Sequence, residues 1–482
     1  MQKNHKSALI NSSIVDSKIR KELELNRIAG PYPTPPFPNF HVSPIGLVPK
    51  KEPNKFRLIH DLSFPKDGDS VNSCIPRHYT AVSYQSLDTV INIVTSLGAG
   101  CLIAKADVQS AFRILPSHPR DYPLLGFKWR DMFYYDKRTA MGALTSCLNF
   151  ESLSKALSWI STVIFCVRYV CHLLDDFCFF SRANTDECKI SLDIFLMLCN
   201  NLNIPINEDK TVLPSTTVTV FGVEIDTLLM QARLPSDKLE KAKSLLQSMQ
   251  ERQSIRLFEL QSLLGYLQFC CKVIKPGRAF LRRLISLTKG VTKSHHHIRL
   301  SGESRKDLKM WLSFIQHFNG ITMMSPDIWF NSEIIRLFSD AAKTKGYSII
   351  LENAWCANAW ADSEDYHITV LELYPIVLAV LMWGNKLRDK NILFFCDNLA
   401  VVNILNKQTS KDPVIMTLVK KFVLKCLYHN INFHLKHIAG RKNVVSDALS
   451  CLQIQKARHL QPSLDPEPHL VPKAWSLSAL LC

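Results

Sequence analysis

No apolar run in the 482-residue chain approaches the ~18 residues of a membrane span, so no membrane partner is expected. The opening stretch, Met1 to Lys21, is polar with only short apolar pieces, which reads as no secretory signal peptide. The 15 cysteines include no Cys-x₂-Cys pair and are too scattered for a small secreted disulfide framework. They are expected to be reduced and mostly in cores, in an intracellular protein of the cytoplasm or nucleus. No spaced Cys/His knuckle is present, and His295-His296-His297 lacks partners at metal-ligand spacing, so it reads as a solvated loop. Asp67-Gly68 is too little to indicate a protease.

Apolar content is not lacking. At 47% hydrophobic the chain is not disordered, and its length allows roughly three domains. Lys and Arg outnumber Asp and Glu by 58 to 42, giving a net charge of +16 and a pI near 9.2. That balance suits a polyanionic partner without proving one.

The most informative stretch is Val167 to Phe180, where Asp175-Asp176 sits between two apolar, β-branched and aromatic runs of strand length. This predicts a hairpin with the two acids at its tip. Adjacent carboxylates repel unless something compensates, and a pair of divalent ions would do so while clamping the attacking and leaving oxygens of a phosphoryl transfer. A plain acidic surface turn is the alternative. A second apolar strand, Cys101 to Ala106, ends on Asp107, whose carboxylate could reach the same metals. Phe112 would stand beside it, or belong to the core.

Upstream, a charged helix is expected from Val15 to Ile28, and then the proline-dense run Gly30 to Pro38 as an extended arm or a disordered linker. Val42–Lys51 and Lys55–Ser63 read as two short strands. Lys50, Lys51 and Arg57 there would either grip a triphosphate or be solvated edge-strand cations. Thr139 to Phe150 leads into a helix, and Met141-Gly142 with its small neighbours permits close backbone approach for stacking a base pair or for tight packing. Later come a helix at Thr185–Leu202, Lys210, and strands across Val218–Asp226. Ser236 is a candidate N-cap for Leu239–Met249, and a second helix covers Leu257–Val273. Arg278, Arg282, Arg283 and Lys289 make a basic face that would grip duplex backbone or be solvated, and one more helix is expected near Lys306–Phe318.

The ordered set resembles the reverse transcriptase of retroelements over roughly residues 15–290. The phrases Ser43-Pro44-Ile45-Gly46-Leu47-Val48-Pro49-Lys50-Lys51 and Arg57-Leu58-Ile59-His60-Asp61-Leu62-Ser63 look most like the DIRS-like (tyrosine-recombinase) retrotransposons, near the gypsy-like elements. The resemblance implies Asp107, Asp175 and Asp176 as palm metal ligands and Phe112 as the gate against a ribose 2′-hydroxyl. It further implies Arg57 with Lys50 or Lys51 on the incoming triphosphate, Met141 and Gly142 lining the nucleotide pocket, and Lys210 as proton donor to pyrophosphate. Two positions depart from the family pattern: Leu173 where many relatives carry an aromatic residue, and Ala140 where proline is usual. No tyrosine-recombinase constellation or Asp-Asp-Glu integrase domain is evident.

From Glu333 the pattern changes. Strands ending on Asp340 (Ile334–Asp340) and on the acid Asp397 (Asn391–Asn398) flank two further strands, Gly346–Leu351 and Ala354–Trp360, and a helix opening at Leu371 that carries Glu372. His434 to Gly440 precedes a loop, and a helix at Asn443–Ser450 carries Asp447. Four carboxylates on strand ends and helices of a mixed sheet can converge and share two Mg²⁺. This stretch, about 333–452, resembles the ribonuclease H domain that follows reverse transcriptase in such elements. Asp340, Glu372, Asp397 and Asp447 are then implied as metal ligands, and His437 as the mobile histidine that helps product leave.

The expected fold is α+β: a right-hand polymerase of fingers, palm and thumb, followed by an α/β RNase H-like domain. The expected divisions are an N-terminal helix and Pro-rich arm (1–40), fingers and palm (41–232), thumb-like helices (233–290), a connection (291–332), the nuclease-like domain (333–452) and a Pro-containing tail read as a linker (453–482). The implied cofactor is Mg²⁺, two per site, with Mn²⁺ as the other choice. The implied partners are RNA template, DNA primer, RNA/DNA hybrid and dNTPs. The competing class is a decayed or co-opted copy that binds hybrids without polymerising, with a second rival that keeps only nuclease activity.

Overall fold

The computed structural model describes residues 3–50, 54–66, 68–317, 321–323, 334–360 and 366–481. Lys51 and Asp67 therefore lie outside the described residues. The chain forms two compact units, residues 1–221 with 225–230, and 222–224 with 231–482.

Val15 and Ile19 put a buried stripe on α2 (Ser12–Glu24), which follows the short α1 (Lys6–Ile10). The helix expected to reach Ile28 stops at Glu24. Asn26 turns to φ +52, and Ile28 opens a strand, β1 (Ile28–Tyr32), paired antiparallel with Met132–Asp136. Pro31 has no N–H for a ladder, and the register shifts between Ala29 and Tyr32, where that donor would be missed. The arm beyond lies on the same sheet, with the Phe37 ring 5.0 Å from Tyr135 and Phe40 6.1 Å from Phe133. The run is thus an extended arm lying on a neighbouring surface, as one of the two readings had it, and not a linker. Ala8, Val15, Ile19 and Ile28 share one core with Ile45, Leu47, Phe127 and Trp129.

The expected strands at 42–63 form a hairpin of β2 (Ile45–Pro49) and β3 (Phe56–His60). After α3 (Leu87–Leu97) come β4 (Leu102–Asp107), β5 (Gly126–Trp129) and β6 (Met132–Asp136), then α4 (Ser146–Trp159). With β7 (Val170–Leu173), β8 (Asp176–Ser181) and β9 (Val212–Ser215), β4 builds a sheet in the order β7-β8-β4-β9, and α5 (Glu187–Asn201) packs against β4 and β8. Period-2 alternation divides its faces. Ala104 lies opposite Phe179 and Ala106 opposite Phe177, and this small-beside-large face packs on Phe150, Leu192 and Phe195. Full burial of each phenylalanine contributes about 1.5–3 kcal/mol. The same alternation sends Lys105, Asp107 and Asp176 to the opposite face.

Strands β10 (Thr217–Val220) and β11 (Val223–Asp226) follow, and from β12 (Gln231–Arg233) the second unit runs on into α6 (Ser236–Gln250). Ser236 is its first helical residue rather than its cap. Pro235 holds the extended capping position, and its carbonyl accepts from the Lys238 and Leu239 amides. Beyond β13 (Ser254–Arg256) and α7 (Leu257–Cys270), Gly277 lets the chain close on Trp311: a Cβ there would stand 2.3 Å from its ring. The expected basic face is only partly free, because Arg283 on α8 (Arg282–Ser286) pairs with Glu303 at 2.9 Å while Arg278 and Lys289 stay exposed. His295 and His296 are solvated as expected, but exposed His297 opens β14 (His297–Arg299), paired with β13. The helix α9 (Gly302–His317) follows, then β15 (Ile321–Met323), paired with β12.

The last sheet contains β16 (Ile335–Ala342), β17 (Gly346–Leu351), β18 (Ala354–Ala359), β19 (Asn391–Cys396) and β20 (Asn432–His437), in the order β18-β17-β16-β19-β20. Its first three strands are antiparallel neighbours, whereas β19 runs parallel to β16 and β20 to β19. Parallel pairs need crossovers, supplied by α10 (Ile368–Trp383), α11 (Leu399–Lys407) and α12 (Pro413–Tyr428). Apolar nearly all round, α10 is the buried core helix, and it begins three residues before the expected Leu371. β16 does not end on Asp340 but runs two residues further, because Ala341 and Ala342 pair with Tyr347 and Gly346. After α13 (Val444–Ser450) the tail is not a linker. It forms α14 (Ile454–Leu460) and α15 (Leu477–Leu481), and Leu464 joins the core of Trp355, Ala448 and Leu449. Trp355 Nε1 donates to the Asp465 carbonyl at 2.8 Å, and Tyr374 Oη to that of Trp475 at 3.0 Å.

Candidate active sites

Leu173 pairs with Asp176, so β7 and β8 are joined by a two-residue turn, Leu174-Asp175. Leu174 has φ +54, a left-handed conformation that costs a side-chain-bearing residue on the order of 1–3 kcal/mol. Two hydrogen bonds hold it: Ser154 Oγ donates to the Leu174 carbonyl (2.9 Å) and the Val108 amide to that of Asp175 (2.9 Å). The turn thereby sets Asp175 beside the cross-strand pair Asp107–Asp176. Lys105 Nζ stands 3.1 Å from Asp176 Oδ2, and Lys210 Nζ lies 3.1 and 3.2 Å from the two oxygens of Asp107.

Burial pushes the Asp175 carboxyl upward, and the charges of Asp176 and Asp107 add to it. Asp176 is also pushed up by burial, with Lys105 opposing. The three expected acids and Lys210 are therefore brought together. Lys105 was missed by sequence reasoning, although its place two residues before Asp107 on the same strand face was a usable signal.

Around this cluster, half-buried Phe112 packs edge-to-face on Phe150 at 5.8 Å. Gly142 is held against β3 so closely that a Cβ would fall 1.8 Å from the His60 carbonyl oxygen. Asn72 braces the turn, donating to the Gly142 carbonyl (2.7 Å) and accepting from the Leu144 amide (3.0 Å). Met141 beside it is half-buried, while Arg57 and Lys50 are exposed on the β2–β3 hairpin.

In the second unit Asp340 projects from β16, Glu372 from α10, Asp397 follows the end of β19, and Asp447 lies on α13. Oxygens of Glu372 and Asp397 and the Cys396 Sγ all lie within 4.8 Å of one another. Glu372 is pushed up to about 9 by burial, then by Asp397 and Asp340. Asp340 rises to about 6 through burial, the Ser450 hydroxyl opposing, with Asp397 and Asp447 adding. Asp397 rises mainly through burial, with His437 opposing and Asp447 adding. Glu372 Oε2 and Asp397 Oδ1 are enclosed with no hydrogen-bond partner.

His437, the last residue of β20, places Nε2 3.0 Å from the Asp397 carbonyl oxygen. Ser450 Oγ donates to Asp340 Oδ2, and Asn443 Nδ2 donates to the Ser339 carbonyl at 3.0 Å. Sequence reasoning missed both residues. Ser450 could have been found, since it stands three residues after Asp447 on the same helix face. All four expected acids converge.

No protein-family model matches the chain, and no curated protein matches it in sequence. Among solved structures it is similar to a foamy viral protease-reverse transcriptase dRH in complex with double-stranded DNA (TM-score 0.52, 18% identity, covering 90% of this chain and 70% of that one). It is similar also to the foamy viral protease-reverse transcriptase in complex with double-stranded DNA (0.52, 17%, 90% and 84%) and with RNA/DNA hybrid (0.52, 17%, 98% and 57%). At such identity the likeness establishes the fold, that of a reverse-transcriptase polymerase followed by an RNase H-like domain.

Proposed function

We propose that the chain is an RNA- and DNA-templated DNA polymerase joined to a nuclease that cleaves RNA in RNA/DNA hybrids. The observation that carries this reading is the convergence of Asp107, Asp175 and Asp176 at one end of the β7-β8-β4-β9 sheet, on the face away from its core. The foamy viral neighbours, bound to double-stranded DNA and to RNA/DNA hybrid, support nucleic-acid partners of this kind. The phrases at 43–51 and 57–63 favour a DIRS-like retrotransposon as the source, acting in the cytoplasm or nucleus of its host.

Both clusters fit divalent metal. Their donors are hard carboxylate oxygens, and in the nuclease two of these oxygens are enclosed without any hydrogen donor. Asp107, Asp175 and Asp176 would hold the ions of the polymerase, and Asp340, Glu372, Asp397 and Asp447 those of the nuclease, with Mg²⁺ or Mn²⁺ suiting either. When bound, such ions supply charge stabilisation for attacking and leaving oxygens.

The chain's own groups do the rest. Arg57 with Lys50 or Lys51 binds the triphosphate of the incoming dNTP, and Met141 and Gly142 shape the pocket for its base. Phe112, braced by Phe150, fills the space a 2′-hydroxyl would need. Lys210, 60% exposed at its side chain, gives a proton to departing pyrophosphate. In the nuclease, His437 stands at the rim beside Asp397, where it can assist product release.

The test is extension of a DNA primer on an RNA template with Mg²⁺ and dNTPs, run beside hybrid cleavage. Extension that vanishes in an Asp175→Asn/Asp176→Asn variant while cleavage persists is the expected result. A folded wild-type chain that extends nothing with either metal would sink the polymerase assignment.

A further inference from the structure

We infer that Arg113 is a positioning residue for the nucleotide pocket, fixing the turn Ala140-Met141-Gly142 relative to Phe112. The inference rests on the polymerase reading above and names a part of that site which sequence resemblance does not supply. Arg113 follows Phe112 in the short 3₁₀ turn Ala111–Ile114, and it is 9% exposed. Its guanidinium is fully engaged. Nε and Nη2 donate to Glu22 Oε2 at 3.0 and 2.8 Å, Nη2 also stands 2.7 Å from Asp136 Oδ1, and Nη1 donates to the carbonyls of Thr139 (3.3 Å) and Arg138 (3.4 Å).

These contacts form one closed circuit around the turn. The other oxygen of Asp136 meets His60 Nδ1 at 2.9 Å, and the His60 backbone carbonyl is the group that Gly142 abuts. From Thr139 the path therefore runs through Arg113, Asp136 and His60 back to Gly142, three residues further along the chain. Phe112 departs from the same 3₁₀ turn and packs on Phe150. One planar cation thus links the wall that senses the sugar to the wall that faces the base.

A buried ion network can also be mere glue between α2 and β6, and the two roles separate experimentally. Glue needs a charge against Glu22 and Asp136. Positioning needs a fork that reaches the two carbonyls at the same time, which an ammonium on a flexible stem does not reproduce.

The experiment measures dNTP KM, kcat and ribonucleotide incorporation on an RNA template for the full chain, with thermal unfolding and primer–template affinity measured alongside. Arg113→Lys is expected to keep its fold and duplex affinity, to raise KM for dNTP roughly tenfold with kcat changed less, and to incorporate ribonucleotides more readily. Glu22→Gln, which leaves the carbonyl contacts in place, is expected to lower the unfolding temperature without moving KM. Wild-type KM and sugar discrimination in Arg113→Lys would overturn the inference. So would a rise in KM for Glu22→Gln equal to that for Arg113→Lys. A wild-type chain that extends no primer removes the polymerase reading itself, and this inference with it, a result distinct from an unaltered Arg113→Lys.

Discussion

Both carboxylate clusters hold acids that burial pushes upward, yet they differ in the counter-charge set beside them. In the first unit's cluster Lys105 and Lys210 stand within 3.1 Å of Asp176 and Asp107. In the second unit's cluster, among the described residues, no lysine or arginine pairs with Asp340, Glu372, Asp397 or Asp447. There burial and neighbouring carboxylates push Glu372 up to about 9 and Asp340 to about 6.

The largest expected effect separates the clusters outright. Asp397→Asn should reduce hybrid cleavage by about a thousandfold and leave primer extension near wild type, whereas Asp176→Asn should do the reverse. Paired steady-state assays on one preparation check this, and a variant that lowers both activities equally would show that the sites are not independent.

Next in size is Gly142→Ala. The added Cβ would collide with the His60 carbonyl, so the turn must shift; extension should fall by on the order of a hundredfold, with cleavage unchanged.

A third prediction addresses the contrast in charge directly. A carboxyl whose folded-state pKa is raised contributes stability that is complete below the ordinary carboxylate range and lost as pH rises through the raised value. In EDTA, unfolding of the second unit should therefore move to lower temperature as pH passes about 6 and then about 9. Glu372→Gln should flatten the upper part of that decline, and Mg²⁺ should remove most of it. A pH-independent unfolding temperature in EDTA would mean that the acids are not compressed as described.

The smallest effect tests the other half of the comparison. Lys105→Gln removes the partly buried counter-charge of Asp176 and should destabilise the first unit by about 1–2 kcal/mol, measured by denaturant unfolding. The loss should shrink as pH falls and Asp176 takes up a proton.

Much of both sites was legible before any tertiary contact was known. Asp107 at the end of an apolar run, Asp175-Asp176 between two strand-length runs and Asp397 after Asn391–Cys396 all follow from periods of two and from where polar residues interrupt them. The misreadings have equally definite causes. The helix expected through Ile28 gives way to a strand that pairs with β6, and the tail looked like a linker because it is rich in proline and mixed in polarity. Ser236 failed as a cap because the preceding proline already held the extended conformation that a cap requires.

By itself the sequence determined most of the strands and helices and which of them carry the acids, because hydrophobic period and turn chemistry act over a few neighbouring residues. Only the tertiary structure decided what those acids meet. Lys210 reaches Asp107 across 103 residues, Ser450 reaches Asp340 across 110, and Arg113 reaches Glu22 across 91. Charge compensation depends on distance in space and on the exclusion of water, and neither is a local property of the chain.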